Sequence, residues 1–184
     1  MPIQAGILAP DFSLPDETGK LRSMSEFRGK PIVLYFYPKD DTPGCTKEAC
    51  SFRDDYSQYQ QAGVTILGVS PDSPKKHTKF KEKYALPFTL LADEDHQVCE
   101  LYGVWGRKKF MGREYDGVFR TTFLIDADGN ILKVFENVRP AEHSSEVLEA
   151  FRGEQIGGLF VIHQPGRCTL KAKLLGDLIN RQIF

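Results

Sequence analysis

Two continuous apolar runs stand out along the chain, Ile32-Val33-Leu34-Tyr35-Phe36-Tyr37 and Val64-Thr65-Ile66-Leu67-Gly68-Val69-Ser70. Runs of this length without polar alternation predict strands buried on both faces. Between them the chain passes Thr42-Pro43, a helix-start signal. A threonine hydroxyl can cap a first turn, and proline is tolerated where no intrahelical donor is needed. The helix is expected to continue to about Gln61 and to stop at Gly63. Strand, helix, strand in this order predicts a parallel pair.

The weaker patterns fill in around this unit. Residues 9–14 and 20–22 flank Pro15, Asp16 and Gly19, which predicts an N-terminal hairpin, and a short helical turn at 25–28 is broken by Gly29-Lys30-Pro31. Ser73-Pro74 opens a helix that runs through Phe80 to Tyr84, 88–91 reads as a short strand, and 94–102 as a helix stopped by Gly103. Segment 105–115, rich in Gly and Lys, reads as a mobile excursion. Runs 118–126 and 131–135 sit either side of Asp128-Gly129-Asn130, a hairpin signal, and 142–151 follows as a helix. Parallel and antiparallel strands with helices between them predict an α/β sandwich whose active residue lies at the carboxyl end of a central strand. Gly157-Gly158 and Pro165-Gly166 look like breaks, yet Leu170, Leu174, Leu175, Leu178 and Ile179 recur at helical spacing. The expected division is a domain over 1–152 and a C-terminal extension over 153–184 that contains a helix.

Composition narrows the function. The 184 residues suffice for one core without disulfide staples. Twenty-four basic against 25 acidic residues, with no basic block, give no reason to expect a nucleic-acid partner. No run could span a bilayer and the N-terminus has no basic leader, so a cytoplasmic protein without a membrane partner is expected. Four cysteines, Cys45, Cys50, Cys99 and Cys168, do not make a secreted scaffold, and in a reducing compartment such residues are catalytic, metal-binding or inert. His77, His96, His143 and His163 form no spaced pair, so no metal is expected. Cys45 falls in the first turn of the predicted helix, where unpaired N–H groups and the helix dipole favour an anion and so a thiolate with a lowered pKa. Cys50, five residues on, makes no C-x-x-C with it. Arg120 interrupts an apolar run, and burying a guanidinium is costly unless it faces an anion. Glu48 suits the early turns of a helix by its charge and is not expected to be catalytic. Cys99 and Cys168 have no motif around them and are expected to be inert.

Pro38, Thr42 and Cys45 match the P-x-x-x-T-x-x-C pattern of peroxiredoxins. The run from Gly44 to Asp54, which matches G-C-T-x-E-A-C-x-F-R-D, resembles the Q-type subfamily, also called bacterioferritin comigratory protein, and the likeness extends over 9–151. The resemblance implies a thioredoxin-like fold with an atypical tail. It implies a thiol peroxidase in which Cys45 attacks hydrogen peroxide or an organic hydroperoxide, Cys50 resolves the sulfenic acid as a disulfide, and thioredoxin restores the thiols. Thr42 would bind the peroxide, Pro38 would shape and shield the loop, and Arg120, through the match of 117–123 to the family's late strand, would stabilise the thiolate and polarise the peroxide. No cofactor is implied, and a monomer is expected rather than a stable oligomer. The competing reading is a redox sensor that passes its oxidation to a partner protein.

Overall fold

The computed structural model describes residues 1–110, 112–136 and 138–157, so the predicted tail helix and Cys168 lie outside the described residues. The N-terminal hairpin is present as β1 (Ser13–Pro15) and β2 (Leu21–Ser23), followed by a 3-10 turn over Met24–Phe27. Five strands form the main sheet: β3 (Ile32–Phe36), β4 (Thr65–Ser70), β5 (Thr89–Ala92), β8 (Thr121–Ile125) and β9 (Ile131–Glu136). Their order is β5-β4-β3-β8-β9, with β3 in the centre, parallel to β4 and antiparallel to β8. Helices α1 (Pro43–Asp54), α2 (Tyr56–Gln61), α3 (Pro74–Tyr84), α4 (Gln97–Leu101) and α5 (His143–Gly157) complete the layers. The sheet flanked by helices is the thioredoxin-like architecture that the family resemblance implied.

Every residue of β3 is buried, because both faces of the sheet are covered. Ile32, Leu34 and Phe36 pack with Met24, Tyr102 and Phe123 on one side; Val33, Tyr35 and Tyr37 pack with Phe52, Tyr59 and Phe80 on the other. Burying a large apolar side chain is worth roughly 1.5–3 kcal/mol, so this double-faced strand is a firmly anchored base for a reactive residue. Tyr35 needs space to lie across β4: a Cβ at Gly68 would come within 2.7 Å of its hydroxyl oxygen.

Four expectations are corrected. The helix after Thr42 does not run unbroken to Gln61 but leaves helical geometry at Asp55 (φ −90°, ψ 2°), which closes α1 and starts α2. Segment 105–115 is no loose excursion: β6 (Trp105–Phe110) and β7 (Arg113–Val118) form an antiparallel hairpin of their own. Its charged side chains hide the alternation that would have marked it, since both strands stand apart from the main sheet. In consequence Val118 ends β7, β8 begins at Thr121, and Arg120 sits at the crossover rather than inside a strand. At the C-terminus α5 continues to Gly157, past the expected end at residue 151.

Candidate active site

The site is assembled where β3 hands over to α1. Tyr37 donates its N–H to Val69 O (3.0 Å), the chain turns through residues 38–42, and α1 begins at Pro43. Thr42 occupies the N-cap position with extended backbone (φ −91°, ψ 149°), and its carbonyl accepts from Thr46 N–H at 2.8 Å. The expected side-chain cap is absent; instead the Thr42 hydroxyl donates to Lys39 O at 3.1 Å. That bond folds the loop back on itself and leaves the hydroxyl's lone pairs free to accept. Pro38 lies at the start of this loop, half-buried.

Cys45 is the third residue of α1 and almost fully buried, packed near Val33, Tyr35 and Ala49. First-turn amides have no intrahelical acceptor and point at whatever precedes the helix. Arg120 reaches Cys45 from across the sheet: Thr121 pairs with Phe36 at the end of β3, so the preceding residue stands beside the start of α1. The Phe119 N–H donates to Val104 O (2.7 Å) and fixes that crossover. Arg120 Nη2 then donates to Cys45 Sγ at 3.1 Å, while Nη1 donates to Glu48 Oε2. Burial works against the Arg120 cation, but the charges of Glu48 and Cys45 outweigh it and hold the guanidinium more firmly protonated than usual. Gly44 lies beside this approach, where a Cβ would stand 3.4 Å from Arg120 Nη2, an ordinary van der Waals contact.

Glu48 meets this site in a way that its charge alone did not announce. It is fully buried, one helical turn after Cys45 on the same face, and it holds the guanidinium that meets the thiol. Burial pushes its carboxyl up to about 7, with Arg120 pulling the other way, and its Oε1 has no hydrogen-bond partner among the described residues. The signal available in sequence was its spacing of three from Cys45, which a charge-based reading passes over. An open cleft of about 840 Å³ runs to this corner and is lined by Arg120, Thr121, Lys108, Phe119 and Val138 among others. Lys108 is a second cation here; it donates to Val118 O at 2.9 Å, and burial together with the Arg120 charge makes it less basic than an ordinary lysine.

Cys50 lies on α1 five residues after Cys45, half-buried, and Cys45, Cys50 and Cys99 are all free thiols. Cys99 is sealed in the core, where burial, followed by the nearby Asp93 charge, holds its thiol strongly protonated. That agrees with the inert reading. Among the described residues no group of His, Cys, Asp and Glu could hold a metal ion, and no helix is long and apolar enough to cross a membrane.

Comparison with known proteins places this geometry in a family. The family described as AhpC/TSA matches residues 5–134. The chain is 52% identical over 147 residues to peroxiredoxin Bcp of Escherichia coli K12, covering 80% of this chain and 94% of the relative, and 48% identical over 152 residues to peroxiredoxin Bcp of Bacillus subtilis, covering 83% and 97%. A solved structure of Xanthomonas campestris bacterioferritin comigratory protein, studied for its alkyl peroxide reduction activity, superposes with a TM-score of 0.74 at 34% identity, covering 78% of this chain and 91% of that one. A Xylella fastidiosa PrxQ structure superposes with a TM-score of 0.79 at 30% identity, covering 84% and 98%. The chain therefore belongs to the AhpC/TSA family, and within it to the peroxiredoxin enzymes of the Q type.

Proposed function

We propose that the protein reduces hydrogen peroxide and organic hydroperoxides by an atypical two-cysteine cycle, with Cys45 as the attacking thiol and Cys50 as the resolving one. The observation that carries the reading is the 3.1 Å contact from Arg120 Nη2 to Cys45 Sγ at the first turn of α1. A thiolate there is countered by a guanidinium and by the positive end of the helix. The Cys45 thiolate attacks the terminal peroxide oxygen, the O–O bond breaks, and the remaining oxygen departs with a proton as water or alcohol, leaving a sulfenic acid. Arg120 and the first-turn amides face the developing charge, which is the preorganised electrostatic stabilisation that usually supplies the largest catalytic term. Thr42, its donor committed to Lys39 O, offers its oxygen as acceptor for the peroxide hydroxyl. The Cys50 thiol then displaces water from the sulfenic acid to form a disulfide, and an external dithiol, for which we propose thioredoxin, reduces it.

Sustained peroxide consumption coupled to a thioredoxin and its reductase tests the whole cycle. The expected result is many turnovers per chain. A single turnover followed by a stable mixed disulfide with another protein would favour the redox-sensor reading instead.

A further inference from the structure

The loop that delivers Cys45 is gripped by a helix that the chemistry above does not use. Asp40 and Asp41 are both held from α3. The Asp41 backbone is left-handed (φ 56°), an uncommon conformation that aspartate tolerates, and its carboxylate accepts from Lys83 Nζ (2.8 and 2.7 Å) and Tyr84 O–H (2.6 Å). Asp40 is buried. Its Oδ1 accepts from Tyr37 O–H (2.7 Å), its Oδ2 meets His77 Nδ1 (2.7 Å), and its N–H donates to Asp72 Oδ2 (2.7 Å). Asp72 is itself fixed by Lys76 Nζ (2.7 Å) and by donating its N–H to Ser70 Oγ (3.1 Å).

The hydrogen count at His77 is constrained. The ring is fully buried, and Nε2 lies 3.2 Å from Leu91 O, an atom that only accepts, so Nε2 carries hydrogen. The Nδ1 to Oδ2 contact then requires one further proton between the two atoms, whether as imidazolium against carboxylate or as imidazole against carboxylic acid. Either arrangement satisfies every atom of the pair. Removing the imidazole leaves Asp40 Oδ2 without its partner, and the loop can relieve that by shifting toward the cleft that Asp40, Asp72 and Lys76 line.

We propose that His77 is a positioning residue for peroxide reduction: through Asp40 it fixes residues 38–42, and with them the placement of Thr42 and the first-turn amides around Cys45. The inference rests on Cys45 as the attacking thiol. It extends the reach of the site from β3 and α1 to α3, whose His77 and Lys83–Tyr84 hold the two successive aspartates that lead into Thr42.

Two rates measured on folded variants test it: single-turnover peroxide reduction and iodoacetamide alkylation of Cys45. His77→Leu should slow the peroxide reaction at least about tenfold, the scale of a displaced reactant geometry, while alkylation is unchanged or faster because the loop opens. Asp40→Asn can keep every contact, its amide oxygen accepting from Tyr37 and its nitrogen donating to a neutral His77 Nδ1, and should stay within a factor of about three of the parent rate. His77→Asn, which retains a donor toward Asp40, should recover most of the loss and supplies the comparison if the leucine variant does not fold. A parent-like peroxide rate in His77→Leu, an equal loss in both reactions, or no recovery in either conservative variant overturns the proposal. Cys45→Ser is measured alongside: peroxide reduction surviving there overturns the underlying site assignment, whereas an inactive Cys45→Ser with a parent-like His77→Leu overturns the clamp alone.

Discussion

Replacing Glu48 by glutamine should make the protein more stable as the pH rises, at the expense of its activity. Burial, opposed by the Arg120 guanidinium, lifts the Glu48 carboxyl from the ordinary 4.5 to about 7. The folded protein therefore binds that proton more tightly than the unfolded chain does. Below pH 4.5 the carboxyl is neutral in both states and costs nothing. From there the penalty for an ionised, buried Glu48 grows through pH 7 and then levels off. At 1.36 kcal/mol per pH unit the plateau is roughly 3 kcal/mol. Glutamine has the same shape and never ionises, so the stability of Glu48→Gln minus that of the parent should rise by about this amount between pH 4.5 and pH 8. Urea denaturation of both proteins at closely spaced pH values measures the difference. The pairing of ionised Glu48 with Arg120 is already contained in the value of about 7, and a difference in packing between glutamine and neutral Glu48 displaces the whole curve but not its slope. Two curves that stay parallel across this range, or that diverge in the opposite sense, would refute the reasoning, because Arg120 would then be shown to outweigh burial. Peroxide reduction should fall in the variant, since Arg120 loses the charged partner that aims it at Cys45.

Arg120→Ala should lower the second-order rate with peroxide by about a hundredfold or more, the usual scale for deleting one donor to developing charge, as measured by competition with a second peroxidase; a loss under threefold would remove Arg120 from the chemistry. Thr42→Val keeps the volume but not the oxygen and should slow peroxide reduction at least about tenfold while Thr42→Ser retains most of it, so equal rates in the two variants would return Thr42 to a purely structural role. Disulfide formation should unwind the first part of α1: five helical residues advance about 7.5 Å and turn roughly 140° off face, whereas bridged Cα atoms lie within about 7 Å. Hydrogen exchange should show amides 46–52 losing protection on oxidation, and equal protection in both redox forms would rule out the unwinding.

Much of this site can be read directly from the chain. The uninterrupted run through β3 announces a strand buried on both faces, and Thr42-Pro43 announces the helix whose first turn receives Cys45. These signals are local, so a single sequence carries them. Glu48 behaves differently: its spacing of three from Cys45 is the hint within its own helix, but the partner that makes its burial tolerable is Arg120, 72 positions away. Asp40 and His77 are hidden for the same reason, each an ordinary polar residue until the loop after β3 meets α3. The hairpin of β6 and β7 escaped because periodicity records a buried face, and Arg107, Lys108 and Lys109 carry charge along a strand that joins no large sheet. Reading 118–126 as one strand followed from that omission and placed Arg120 inside it rather than at the crossover, where it can reach Cys45. Thr42 was correctly read as the first residue outside the helix, but its hydroxyl donates to the loop carbonyl of Lys39 and makes no cap bond to a first-turn amide.

The pairing of Cys45 with Cys50 is tested most directly by treating the reduced protein with one equivalent of hydrogen peroxide and mapping its cysteines by mass spectrometry. The parent chain should yield an intramolecular Cys45–Cys50 disulfide, and Cys50→Ser should yield a sulfenic acid on Cys45 that a dimedone probe captures. Capture on Cys99 or Cys168 of that variant with Cys45 left unmodified, or a parent disulfide that omits Cys45, would contradict the assignment of the attacking thiol.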